Sequence, residues 1–261
     1  MALLVEDTFH PRIALRWRTT QVGGGRLVLG EAGLRLLLAG ARRRRYADAQ
    51  IDDYTGLARR DFPWRPPLRL TVRARVSGPL AGTAGFGFWN NPFSPLGGAP
   101  ALPATIWFFH AAPPSDMPLA LGVPGHGWKA TCIDTTQPAA LAWAPLALPV
   151  ILANQAPALQ QRIWPSIQRS LRIAEAPIPA PGQDWRSYSL EWRADGARFS
   201  IDNRIIFTTE RAPRGPLGFV AWVDNQWMVA TPRGRFGWGL LDTPAQWMDL
   251  ASVRIESLER Y

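Results

Sequence analysis

Two short segments of the chain set a tryptophan beside planar polar groups. Gly85-Phe-Gly-Phe-Trp89-Asn90-Asn91 and Gly218-Phe-Val-Ala-Trp222-Val-Asp224-Asn225 share Gly-Phe-x-x-Trp, followed within two residues by amides or a carboxylate. Gln226 and Trp227 extend the second set. An indole offers a flat apolar surface to a ring, while Asn, Asp and Gln side chains hydrogen-bond hydroxyl groups around its rim. Trp89, Asn90, Trp222, Asp224, Gln226 and Trp227 therefore form a candidate site for a carbohydrate or another amphipathic small molecule. The plainer reading makes both tryptophans core residues and the polar groups strand ends, because large aromatics are commonly buried. Strand parity bears on the choice. Alternation puts Gly85, Gly87 and Trp89 on one face, and Gly218, Trp222 and Asp224 on one face. If both tryptophans enter one cleft, the two glycines leave room beside them for a ligand.

Acid–base chemistry has fewer candidates. His110 ends an aromatic run, with Ile106 and Phe108 on its face. It becomes an acid or base only if a carboxylate such as Asp52 or Asp224 lies beside it. A lone histidine at a strand end is more often structural. Asp52-Asp53 and Asp224 are the acids available to an unorthodox hydrolase. No two histidines have metal-ligand spacing, and the single cysteine, Cys132, excludes an internal disulfide and a Cys-based zinc site. Gly85 and Gly87 do not make a nucleotide loop, since no helix start or ribose-binding acid follows in register. The expectation is no metal and no cofactor.

Charge and composition narrow the class. The 261 residues carry 29 basic and 20 acidic side chains, a formal charge of +9. Only Lys129 is a lysine, and the arginines are scattered rather than clustered, which argues against a nucleic-acid partner. With 47% hydrophobic residues the chain can collapse, so disorder is excluded. Thirteen tryptophans and 25 prolines suit a loop-rich β protein better than a helical bundle. The apolar run Met1-Ala-Leu-Leu-Val5 is too short for a signal-peptide core, so a cytoplasmic location is expected.

The elements that must position these residues are short strands broken by Gly and Pro. They are expected at 26–30, 34–38, 68–76, 85–89, 105–110, 128–133, 188–192, 197–202, 204–208, 217–224 and 250–258. The run 68–76 alternates most clearly, with Leu68, Leu70, Val72, Ala74 and Val76 on one face and Arg69, Thr71, Arg73 and Arg75 on the other. Ala194-Asp-Gly196 and Asp202-Asn203 are hairpin turns. One stretch breaks the pattern: 135–161 has no charged residue. Pro157 can open a helix with Leu159, Ile163, Ile167 and Leu171 on one face. Residues 136–175 are read as a mostly helical insertion in a single domain spanning 1–261. It is an arm packed on the strands, a lid over a cleft, or a membrane- or partner-docking element.

Several motifs fall in a familiar order. Trp185-Arg-Ser-Tyr188, Leu190-Glu-Trp192 and Asp195-Gly-Ala-Arg-Phe-Ser-Ile-Asp202-Asn203-Arg204 resemble one hairpin of the concanavalin A-like lectin/glucanase superfamily. Trp247-Met-Asp-Leu-Ala-Ser-Val-Arg-Ile-Glu256 is similar to the closing strand of the family 16 glycoside hydrolases. Asp7-Thr-Phe9, Tyr46-Ala-Asp-Ala-Gln50 and the Gly82 to Trp89 run precede them in matching order. The resemblance implies an all-β, two-sheet antiparallel jelly-roll sandwich that binds ligands on a concave face, with the helical insertion as an addition. It departs at the chemistry. Family 16 enzymes carry Glu-x-Asp-x-x-Glu or a close variant, because retaining hydrolysis needs two carboxyl groups ~5 Å apart. Here the matching place reads Thr105-Ile-Trp-Phe-Phe-His-Ala-Ala112, and no Glu-x-Asp or Asp-x-Glu occurs anywhere. The resulting expectation is ligand binding in an aromatic cleft without family 16-type hydrolysis. Its rivals are an enzyme using His110 with an aspartate, and a membrane- or protein-docking module using 135–161.

Overall fold

The computed structural model describes residues 2–92 and 101–259. Its strands form two large antiparallel sheets. The first runs β13 (Arg204–Thr209), β12 (Gly196–Ile201), β11 (Arg186–Arg193), β6 (Leu68–Val76), β17 (Thr243–Ser257), β4 (Gly33–Ala41), β3 (Gly25–Gly30), and β1 (Ala2–Asp7) also pairs with β17. The second runs β10 (Ala174–Pro177), β9 (Gly127–Asp134), β8 (Ala104–Ala111), β7 (Thr83–Trp89), β14 (Gly218–Asp224), β5 (Asp48–Asp52), β2 (Arg18–Val22). A separate hairpin pairs β15 (Gln226–Ala230) with β16 (Phe236–Leu240). This is the expected jelly-roll sandwich.

The sequence forms these strands for legible reasons. In β6 all five apolar positions are buried, while Arg69, Thr71, Arg73 and Arg75 point outward. The turn between β12 and β13 puts Asp202 and Asn203 at φ of 50° and 64°, the left-handed pair that a two-residue hairpin demands and Asx residues tolerate. Between the sheets the core is aromatic. Phe86 of the second sheet meets Tyr188 of the first at 5.2 Å between ring centroids, Phe88 meets Trp192 at 5.5 Å, and Phe108 meets Phe199 at 5.2 Å. The Trp192 indole N–H donates to the Pro213 carbonyl at 2.8 Å, so the largest buried ring leaves no donor unpaired.

The insertion is helical, in pieces: α1 (Pro138–Leu141), a 3₁₀ turn (Ala144–Leu146), α2 (Ala147–Ala153) and α3 (Pro157–Ser170). Pro157 does open α3. The buried side of α3 is Trp164, Ile167 and Gln168, whereas Leu159, expected on the packed face, is exposed. The reason is the Trp164 indole, which donates to the Leu119 carbonyl and fixes the rotation of the helix. The helical part stops at Ser170, and Ala174–Pro177 pairs with β9 as an edge strand. Strands β1, β2, β5, β10, β15 and β16 were not among those expected. Among the described residues no helix is long and apolar enough to cross a membrane.

Candidate ligand-binding face

The register of the second sheet decides which residues share a surface. Ala49 and Ile51, Phe219, Ala221 and Val223, Phe86 and Phe88, Ile106 and Phe108, and Ala130 and Cys132 all enter the inter-sheet core. Alternation then sends Asp48, Gln50 and Asp52 of β5, Val220, Trp222 and Asp224 of β14, Gly85, Gly87 and Trp89 of β7, and Thr105, Trp107 and Phe109 of β8 to the outer face. Trp89 and Trp222 therefore lie outside the inter-sheet core, on one surface.

That surface is an aromatic platform. Trp107 stacks on Phe109 at 5.3 Å with planes 14° apart, and lies 5.1 Å from Trp222 and 5.8 Å from Trp89. Tyr54 and Phe62 pack at its margin. Trp222 is the buried floor, tied by its indole N–H to the Thr83 hydroxyl at 3.0 Å, while Trp89, Trp107 and Phe109 are half-buried. Here the expectation for the glycines needs correction. The space over Gly85 is taken by the Trp222 ring, whose Cη2 would sit 3.0 Å from an added Cβ, and that over Gly87 by the backbone and Cβ of Trp107. The glycines make room for the protein's own indoles rather than for a ligand.

The polar candidates divide. Asn90 lies on the opposite side from Trp89 and spends its amide on the Leu102 carbonyl and the Ala104 N–H, closing the 90–104 loop. Asp224 accepts from the Thr83 N–H and hydroxyl and from the Gln226 N–H, and burial raises its carboxyl to about 6. The Gln226 side chain meets the Tyr46 hydroxyl. Trp227 leaves the platform and lies over Gly237 and Gly239 of β16. Asn225 is a corner: it accepts from Ala47 and donates to the Arg42, Arg45 and Leu241 carbonyls.

The pairing of His110 with an aspartate is not made. Its ring sits on the core side of β8, tilted against Trp128 at 5.0 Å between centroids, with Nε2 3.0 Å from the Leu80 carbonyl. Burial lowers its pKa, against the raising effect of the Leu80 carbonyl. Asp52 and Asp224 are on the other face of the same sheet. Asp52 is also saturated, accepting from the Tyr54 and Thr55 N–H groups, the Thr55 hydroxyl and Gln50.

Residues without a role in the sequence reading complete the site. Asp48 lies in register with Asp224 on the neighbouring strand, and its Oδ1 is buried without a partner. Burial, reinforced by the Asp224 charge, holds its carboxyl well above the usual range. Its signal was Tyr46-Ala-Asp-Ala-Gln50, used only as a landmark. The Trp107 indole N–H and the hydroxyls of Thr105 and Thr131 are likewise buried and unpartnered. At the margin of this face, Lys129 and Glu175 form a buried ion pair at 3.3 Å.

No family model and no curated protein matches the sequence. Solved structures do. A pseudo β-1,3-glucanase of Mycobacterium tuberculosis superposes with a TM-score of 0.55 at 12% identity, covering 99% of this chain and 100% of that one. A glycoside hydrolase family 16 endo-glucanase from Bacteroides ovatus gives 0.52 at 12% identity, covering 96% and 99%. The Crh5 transglycosylase in complex with NAG gives 0.51 at 14%, covering 98% and 84%. The chain has the concanavalin A-like jelly-roll fold of these carbohydrate-active proteins.

Proposed function

We propose that the chain binds a carbohydrate on the outer face of its second sheet and does not cleave it by the family 16 route. The observation that carries this is β8. At the outward positions of the strand where the resemblance expects carboxylates, the chain has Thr105, Trp107 and Phe109. On that resemblance, a stacked indole and phenyl ring stand where an acid and a nucleophile would be expected. Sugar rings dock on such surfaces through their C–H faces. Two of the fold neighbours, the endo-glucanase and the transglycosylase in complex with NAG, are glycan-acting proteins, which supports the same ligand class.

The test is calorimetric titration with β-1,3-glucan oligosaccharides and N-acetylglucosamine oligomers, beside an assay for released reducing ends. Binding without release, abolished by Trp107→Ala, is the expected result. Absence of binding to a broad glycan panel overturns the proposal. Release of reducing ends that disappears in Asp48→Asn would instead make the Asp48 and Asp224 pair a hydrolytic one.

A further inference from the structure

The insertion and the β15–β16 hairpin form one surface that the glycan reading does not use. Asn154 donates to the Pro232 carbonyl at 2.8 Å and Gln155 to that of Arg233 at 2.9 Å, so the end of α2 is pinned to the hairpin turn. Gly234 sits against Ile151. Arg233 reaches Gln160 of α3. Around this seam large apolar side chains face solvent: Leu148 is 66% exposed, Leu152 63%, Phe236 72% and Trp238 68%, with Leu141 and Leu146 close to half. Phe236 and Trp238 share the side of β16 away from Trp227, which covers Gly237 and Gly239 on the other.

The charge around this surface is mostly positive. Neither 135–174 nor 226–241 contains an acidic residue, while Arg162, Arg169, Arg172, Arg233 and Arg235 lie in them. Asp116 pairs with Arg235 at 3.5 Å, and Arg169 and Arg172 line a pocket with Glu175 and Glu210, whereas Arg162 and Arg233 have no acid within ion-pair distance among the described residues. We infer that α1, α2 and the hairpin tip dock on an anionic lipid bilayer surface. Short helices with leucines outward insert at the headgroup boundary, Trp and Phe prefer that depth, and arginines meet lipid phosphates. A second copy fits less well, because a two-fold contact would bring together two copies of the same mostly positive surface.

Vesicle flotation tests this with the whole chain, using phosphatidylcholine vesicles with and without phosphatidylserine. The chain floats with the phosphatidylserine vesicles, and added salt weakens the association. Leu148→Asp with Leu152→Asp, and separately Trp238→Ser, each weaken it by about tenfold or more. Arg233→Gln with Arg235→Gln does so for anionic vesicles only. These side chains are exposed, so the melting temperature stays as in the parent and reports on folding. Failure to float with phosphatidylserine vesicles overturns the inference, as does flotation indifferent to every variant. Sedimentation velocity adds one more outcome: a dimer that Leu148→Asp with Leu152→Asp dissociates, without vesicle binding, assigns the patch to self-association and overturns it. Glycan titration is unaffected in all of these variants, so failure here is separate from failure of the platform.

Discussion

Asp48 and Asp224 are paired in register across β5 and β14, both buried, at the polar end of an aromatic surface. Two carboxylates so placed resist ionising together. Burial is the larger cause in each case, and it pushes Asp224 up to about 6 and Asp48 well above its ordinary value. The unfolded chain releases both protons near pH 4. Each carboxyl therefore contributes stability that is full below about pH 4 and is lost as pH rises through its raised folded pKa, about 6 for Asp224. Asp48→Asn keeps the shape and removes the titration. In thermal melts from pH 4 to 8, the variant should lose less stability on the alkaline side and exceed the parent at pH 8 by about 3 °C. A parallel pair of curves would show that Asp48 ionises freely.

Trp107 is the centre of the platform, in contact with Trp89, Phe109 and Trp222. Trp107→Ala is expected to weaken glycan binding by about tenfold or more, measured by calorimetry, because one stacking ring at the middle of a binding surface carries roughly 1–3 kcal/mol. Trp227→Ala, off the platform on the hairpin, should leave that affinity within about twofold of the parent.

Gly85→Val probes the floor. A Cβ at this position meets Trp222 Cη2 at 3.0 Å and the Phe108 carbonyl more closely still. The indole has to move, and its bond to the Thr83 hydroxyl goes with it. Expected are a loss of about 1–3 kcal/mol in urea denaturation and a fall in glycan affinity together. Stability lost with affinity retained would show that Trp222 does not shape the ligand surface.

Lys129 and Glu175 are both almost fully enclosed. Lys129 also donates to the Met117 carbonyl, and Glu175 accepts from the Ala120 N–H, so the pair pins the 112–126 loop to the sheet edge. Burial raises the Glu175 pKa even against the lowering effect of Lys129. Lys129→Met leaves the carboxylate uncompensated and should cost about 3–5 kcal/mol at pH 7. The loss should be smaller at pH 5 than at pH 7, because burial favours the protonated form of Glu175, and Lys129→Met with Glu175→Gln should recover part of it. Urea denaturation at the two pH values measures all three.

The sandwich was legible where local rules and tertiary demands agree. Leu68–Val76 alternates without interruption, and Asp202-Asn203 is a turn on chemistry alone. Strand β5 was not, because its alternation is only five residues long and sends just Ala49 and Ile51 to the core, with two carboxylates and an amide on the other face. Strands β15 and β16 lack any fully buried residue, leaving periodicity little to read. At the site, parity found the shared face of Trp89 and Trp222. It could not say that Gly85 would be filled by an indole from β14, since that depends on a register between strands more than 130 residues apart in sequence. His110 and Asn90 were misplaced for a related reason: their chemistry was read from residue type, while their partners, Leu80 and Leu102, are backbone carbonyls with no signature.

The enclosure of Lys129 has a chemical corollary, because it is the chain's single lysine. With its ammonium group 2% exposed, no side-chain primary amine is presented to the surroundings. The positive side chains presented at the surface are guanidinium groups. Acylating enzymes, aldehydes and amine-directed cross-linkers find no side chain to react with on the folded protein. The positive surface charge is therefore permanent to strongly alkaline pH, beyond the reach of the modifications by which lysine-rich surfaces are neutralised.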